Sequence, residues 1–204
     1  MGLPLRSYWG IRSRRCGDGG KYLKVSTTKG RPASINLREK GSDLLVRAFA
    51  AVAPDFPGAR LRLAGQGPLR RELEGLAGSL GVAADFLGFR DPVDLEPEYA
   101  RAWALAVPSR WAEPLGLVAI EAVTRGLPAI VPSTGGLAEI VTPGTTGWHF
   151  TSADEAQLAS CLRQALTHPH SIPNAAAAEV RSRYGLTAHT AGLRRVLRAV
   201  CKFG

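Results

Sequence analysis

Glu113-Pro-Leu-Gly-Leu-Val-Ala-Ile-Glu121 sets two carboxylates eight positions apart around a Pro-x-Gly turn. An apolar run over 104–108 precedes it and reads as a strand. Leu117, Ile120, Glu121 and Val123 follow with helical spacing, and Gly126 stands where such a helix would be capped. Glu113 therefore belongs to a strand-to-helix loop and Glu121 to the helix, one turn in. The N–H groups of Gly116, Leu117 and Val118 open that helix, an arrangement that favours an anion such as phosphate. At about 1.5 Å of rise per residue, Glu121 stands roughly 6 Å beyond Leu117. That height suits a carboxylate accepting hydrogen bonds from ribose hydroxyls while the helix start holds a diphosphate. Glu113, on the loop, is free to face whatever the diphosphate carries, so the stretch suits a sugar nucleotide.

With 204 residues the chain has ample length for a hydrophobic core, and a hydrophobic content of 45% is that of an ordinary globular protein. It has no apolar run of the length a membrane-spanning helix needs, and its N-terminal residues lack the apolar stretch of a signal peptide. Cys16, Cys161 and Cys201 are odd in number, widely spaced and without metal-ligand spacing. They suit a reducing cytoplasm better than a disulfide framework. The formal charge of +9 is an N-terminal property, because residues 1–40 hold ten Lys and Arg against Asp18 and Glu39. The expected organisation is a basic, poorly ordered leader over 1–32 and a folded domain over 33–204. Such a leader leaves open a weak contact with an anionic membrane surface, peripheral to its inner face, and gives no ground for a specific nucleic-acid partner.

Along the domain the texture alternates. Strands are expected over 33–36, 60–64, 85–89, 104–108, 128–131 and 147–150. Helices are expected over 42–53, 69–80, a short segment ending at Arg101, 117–125, 137–141, 153–167, 174–183 and 187–200. This alternation implies βαβ crossovers and a single Rossmann-like α/β domain, a parallel sheet with helices on both faces. Ligands of such sheets bind at the carboxyl ends of the strands, where the loops at 65–68, 88–92, 109–116 and 133–136 all open.

Those loops carry a set of motifs in order: Lys40-Gly41-Ser-Asp-Leu-Leu, Ala64-Gly65-Gln-Gly67-Pro68, Phe86-Leu-Gly-Phe89, Val107-Pro-Ser109 followed by the Glu113 to Glu121 stretch, Gly126-Leu-Pro128, and Gly135-Gly136-Leu-Ala-Glu139. Over residues 40–150 the chain resembles the nucleotide-binding C-terminal half of the retaining group 1 (family 4) glycosyltransferases of GT-B architecture. The resemblance implies transfer of a sugar from a nucleotide-diphosphate donor to an acceptor hydroxyl with retained anomeric configuration. It implies that Glu113 contacts sugar hydroxyls near the reacting carbon and that the backbone of Pro114, Leu115, Gly116, Leu117 and Val118 holds the diphosphate. Glu121 would hold the ribose, Lys40 the phosphate charge, and the loop of Gly88, Phe89 and Arg90, with Gly65 beside it, the base. Lys40 and the helix start would stabilise the departing diphosphate in place of a metal. No cofactor is then expected beyond the donor itself. Two departures stand out. Where the family places a Gly-Arg pair this chain has Ser34-Ile35-Asn36, so either Arg38 takes the arginine's role or the donor is held less tightly. The family also carries an N-terminal acceptor-binding domain that residues 1–32 cannot supply, which points to a separate acceptor-binding partner or to self-association.

Other readings are weaker. Gly65-Gln-Gly67 hints at a dinucleotide fingerprint, but Asp85, the acid expected about twenty residues on, precedes its strand and would meet the wrong edge. Ser109 lacks the context of a hydrolase nucleophile. Trp103, Trp111 and Trp148 read as packing residues, and Glu139 as either a cap or a cleft residue. A non-catalytic nucleotide-sugar-binding module fits the same motifs, and a third reading makes the basic leader an anionic-surface binder. The stripe of Leu193, Val196, Leu197 and Val200 predicts an exposed apolar face on the last helix, or one near Trp111.

Overall fold

Residues 21–25, 38–167 and 171–201 are described in a computed structural model of the chain. Among the described residues six strands form one sheet: β1 (Lys21–Val25), β2 (Ala59–Ala64), β3 (Ala84–Gly88), β4 (Ala102–Ala106), β5 (Ala129–Pro132) and β6 (Gly147–Phe150). Their order is β3-β2-β1-β4-β5-β6, and every pairing is parallel. This is the doubly wound arrangement, in which the chain runs outward from β1 to one edge, returns, and runs outward from β4 to the other.

The helices are α1 (Ser42–Ala50), α2 (Arg70–Ser79), α3 (Pro92–Arg101), α4 (Leu117–Thr124), α5 (Gly135–Ile140), α6 (Glu155–Thr167), α7 (Asn174–Tyr184) and α8 (Leu186–Val200). Strand alternation feeds both faces of the sheet. Ala104 and Ala106 of β4 and Ile130 of β5 join a core with α1, α2 and α6, built on Leu45, Phe49, Leu73, Leu158 and Leu162. Leu105, Ala129 and Val131 point the other way, into a core with α3, α4, α5 and α7. In β2 the alternation is Leu61 and Leu63 inward against Arg60 and Arg62 on the opposite face. Arg62 is bracketed there by Asp85 of β3 at 3.1 Å and Glu98 of α3 at 2.6 Å, and Arg60 also binds Asp85. Paired in this way, the arginines sit on a half-covered face without an uncompensated charge.

One expectation is corrected. Lys21–Val25 falls in the stretch read as a leader, yet it forms β1, flanked by β2 and β4, with Leu23 opposite Leu61 and Ala104. The sheet therefore begins inside residues 1–32. Strands in the middle of parallel sheets are usually continuous apolar runs, and two lysines in five residues hide this one. The strand expected over 33–36 and the remainder of the leader lie outside the described residues. All the other expected strands and helices are present, with ends shifted by a few residues.

Helix α8 has no buried residue, and Leu186, Leu193, Val196, Leu197 and Val200 are all exposed, as is Trp111. Among the described residues no helix is long and apolar enough to cross a membrane.

Candidate functional site

The strand order reverses between β1 and β4, whose carboxyl ends therefore lie side by side at one edge of the sheet. Residues 38–41 lead from the β1 side into α1, and residues 107–116 lead from β4 into α4. The two are locked together. Gly41 takes a left-handed conformation (φ 64°), and a Cβ there would overlap the carbonyl oxygen of Pro108. The N–H of Arg110 donates to the carbonyl of Glu39 at 2.7 Å. The Arg110 guanidinium binds both oxygens of Asp43 at 2.7 and 2.8 Å and the carbonyl of Arg38 at 2.6 Å. Its hydrogen bond holds the Asp43 carboxyl below the usual carboxylate range, and Asp43 in turn raises Arg110.

Between these anchors Lys40 turns inward, and its Nζ donates to Glu113 Oε1 at 2.8 Å. Both side chains are largely withdrawn from water, at 17% and 6% exposure. The Trp111 ring lies over the ammonium, 5.5 Å from centroid to Nζ. Glu113 is fixed from below by α5, since the N–H of Gly136 donates to its carbonyl at 2.7 Å. A Cβ on Gly135 would come within 2.7 Å of that same oxygen, so the Gly-Gly start of α5 lets the two backbones touch.

Immediately after Glu113 the loop enters α4 through Gly116, at φ 62°, where a Cβ would overlap the Leu137 side chain. No side chain caps this helix, and its first hydrogen bond returns from Ala119 N–H to the Gly116 carbonyl at 2.9 Å. The N–H groups of Leu117 and Val118 precede it and have no carbonyl within the helix to bind. Pro114, Leu115 and Leu117 are exposed around this start, whereas the Val118 side chain is buried in the core. Along α4, Glu121 is half-buried and accepts the Tyr99 hydroxyl of α3 at 3.1 Å. A helix start, a lysine and two carboxylates thus share one sheet edge. Such a set can hold a diphosphate and orient hydroxyls around it.

The family model of the group 1 glycosyl transferases matches residues 36–183. The chain belongs to this family. It is 36% identical over 147 residues to a glycogen synthase of Mycobacterium tuberculosis, a match spanning 71% of this chain and 34% of that enzyme. The fold is similar to that of sucrose-phosphate synthase from Thermosynechococcus elongatus, with a TM-score of 0.78 and 27% identity over 93% of this chain and 48% of that one. It is also similar to that of HepE from Anabaena, solved with UDP and glucose, with a TM-score of 0.76 and 24% identity over 90% of this chain and 50% of that one. The chain spans about half the length of these GT-B structures and about a third of the glycogen synthase.

In this chain of the group 1 family the other expected site residues divide into two groups. Gly65 and Gly88, at the ends of β2 and β3, come together through a hydrogen bond from Gly65 N–H to the Gly88 carbonyl at 2.8 Å. Phe89 and Arg90 follow at the surface of the same edge. Arg38 goes elsewhere: its exposed guanidinium pairs with Glu72 of α2 at 3.5 Å, and its carbonyl is what faces the site, held by Arg110. Glu139 is also exposed, 3.8 Å from Arg183. Trp111, read as a packing residue, is instead exposed beside Lys40. Arg110, Asp43 and Tyr99 join the site without any sequence signal beyond their neighbours. Among the described residues no group of three or more His, Cys, Asp and Glu is arranged to hold a metal.

Proposed function

We propose that this chain is the donor-binding half of a retaining glycosyltransferase, taking a nucleotide-diphosphate sugar and passing the sugar to an acceptor hydroxyl. The observation that carries the proposal is the Lys40–Glu113 pair, buried at the reversal of strand order beside the uncapped start of α4. The diphosphate lies on the N–H groups opening α4, from Leu115 to Val118, with Lys40 against its charge. Glu113 faces the sugar hydroxyls, Glu121 holds the ribose while Tyr99 fixes its carboxylate, and the base rests on the loop from Gly88 to Arg90 near Gly65. As the sugar leaves, negative charge grows on the diphosphate, and Lys40 with the helix start stabilises it without a metal. HepE, a protein of the same fold, was solved with UDP and glucose. A cytoplasmic working place suits the free thiols of Cys161 and Cys201.

The chain spans only about half of the GT-B structures it resembles, and acceptor binding belongs to the other half of that fold, whether carried on the same polypeptide or by a partner. The exposed apolar face of α8 suits contact with such a partner or with a second copy. Calorimetric titration with uridine and guanosine diphosphates tests the donor site. One of them binds below millimolar, and Glu121→Ala weakens it about tenfold, the worth of a charge-assisted hydrogen bond. Absent binding, or binding indifferent to the substitution, refutes the site. The chain alone transfers no sugar at a measurable rate, and donor turnover on adding an acceptor half separates an enzyme from a non-catalytic module.

A further inference from the structure

We propose that Arg110 is a positioning residue that sets the donor site by stapling the segment around Lys40 to the β4–α4 loop, with Asp43 as its anchor. The inference rests on the donor-site reading above. Residues 38–40 form a single 3-10 turn without a buried residue, a weak element that has little hold on the fold by itself. Arg110 grips it on both sides of Lys40: the Arg38 and Glu39 carbonyls before it, the Asp43 carboxylate after it. Asp43 lies in the first turn of α1, where the helix start favours its negative charge, so the fork of Arg110 closes on a fixed anion. The far side is tied as well, since Ser152 Oγ donates to the Arg110 carbonyl at 3.2 Å. Arg110 stands three positions before Glu113, so one residue references the lysine and the carboxylate to the same frame.

Lysine would not replace it. The guanidinium meets two carboxylate oxygens and a carbonyl through two of its nitrogens, a set of contacts that a single ammonium cannot reproduce. The hydrogen bonds of the Arg110 guanidinium go to the Arg38 carbonyl and the Asp43 carboxylate. Arg110 acts by holding the Lys40 ammonium at Glu113 before any donor arrives.

Three readouts test this on the whole chain: thermal melting, acylation of Lys40 by an amine-reactive reagent quantified by peptide mass against Lys202, and uridine diphosphate affinity. In Arg110→Ala, Lys40 acylation rises about tenfold, the population change expected when charged hydrogen bonds are lost. In Asp43→Asn, which keeps the side-chain shape, it rises several-fold, and Arg110→Lys does not restore protection. The double variant Arg110→Ala/Asp43→Ala matches Arg110→Ala alone, because the two act as a unit. Diphosphate affinity falls in parallel with the rise in acylation. Unchanged Lys40 acylation in folded variants overturns the staple, as does loss of the melting transition in Asp43→Asn, which would make the pair a folding element only. If the native chain binds no diphosphate, the donor reading fails while the acylation series still decides the staple.

Discussion

Lys40→Met removes the cation from a carboxylate that is 6% exposed and leaves Glu113 buried with no opposing charge. Breaking a buried ion pair from one side costs about 3–5 kcal/mol. The Lys40 side chain is itself 17% exposed, so water reaches part of the vacated volume and the lower end, about 3 kcal/mol, applies here. For a domain of this size each kcal/mol moves the melting temperature by about 2–4 °C, giving a fall of about 6–12 °C. Glu113→Gln strands the ammonium instead, cushioned by the Trp111 ring, and costs about 2 kcal/mol. The double variant Lys40→Met/Glu113→Gln replaces the pair by neutral groups of similar volume and returns to within about 1 kcal/mol of the native chain. Urea unfolding of the four proteins closes the cycle, with an expected coupling of at least about 4 kcal/mol. All three variants lose diphosphate binding, so stability recovers in the double variant while function does not. Additive single effects, or single costs under about 0.5 kcal/mol as at ordinary surface sites, would mean that the two groups share no buried site in solution, and the donor pocket would fail with them.

Two further outcomes follow from the same geometry. Gly116→Ala combines a left-handed backbone with overlap on Leu137, and should cost about 2–4 kcal/mol in urea unfolding; a neutral result would mean that the entrance to α4 differs from the one described. The Asp85 carboxyl is held below its ordinary value of 3.8 chiefly by its hydrogen bond to Arg60, and Asp43 likewise by Arg110. Their folded values lie below the unfolded ones, so the stability they supply is present above about pH 4 and is lost as pH falls through the folded values. Urea midpoints measured from pH 6 down to pH 3 should drop at the acid end, and Asp85→Asn should flatten that drop; an unchanged slope would refute the assignment.

Much of the fold is legible because its local signals agree with its global pattern. The apolar runs at β4 and β5 are long enough to be buried on both faces, and Gly41, Gly116 and the Gly135-Gly136 pair stand where positive φ or close backbone approach demands them. β1 is hidden because Lys21 and Lys24 break the apolar run, and only pairing with β2 and β4 reveals it. The site divides in the same way. Glu113 and Glu121 are legible from a turn and a helix period, which are local. Arg110 and Asp43 are 67 positions apart, and no spacing rule connects them. The sequence offers either Arg38 as a stand-in for a missing arginine or a weaker hold on the donor; the fold pairs that side chain with Glu72 and brings its carbonyl to Arg110.

Two ionic groupings of this chain show why burial of charge alone does not mark a site. Arg62 is held by Asp85 and Glu98 from two elements, and Arg60 takes a second share of Asp85. That network joins β2, β3 and α3, and its arginine forks are matched by carboxylate oxygens. Lys40 and Glu113 are different. An ammonium has three donors and an ionised carboxylate about four acceptor positions, yet their mutual contact is a single hydrogen bond. Water reaches the Lys40 side chain in part, and the remaining donors and acceptors of the pair stand ready for a ligand beside the start of α4. An anion on the helix start and the Lys40 ammonium, with hydroxyls against Glu113, would satisfy these groups together. Binding of that kind would exchange water for ligand at a pair already held in place, which is what a preformed donor site requires.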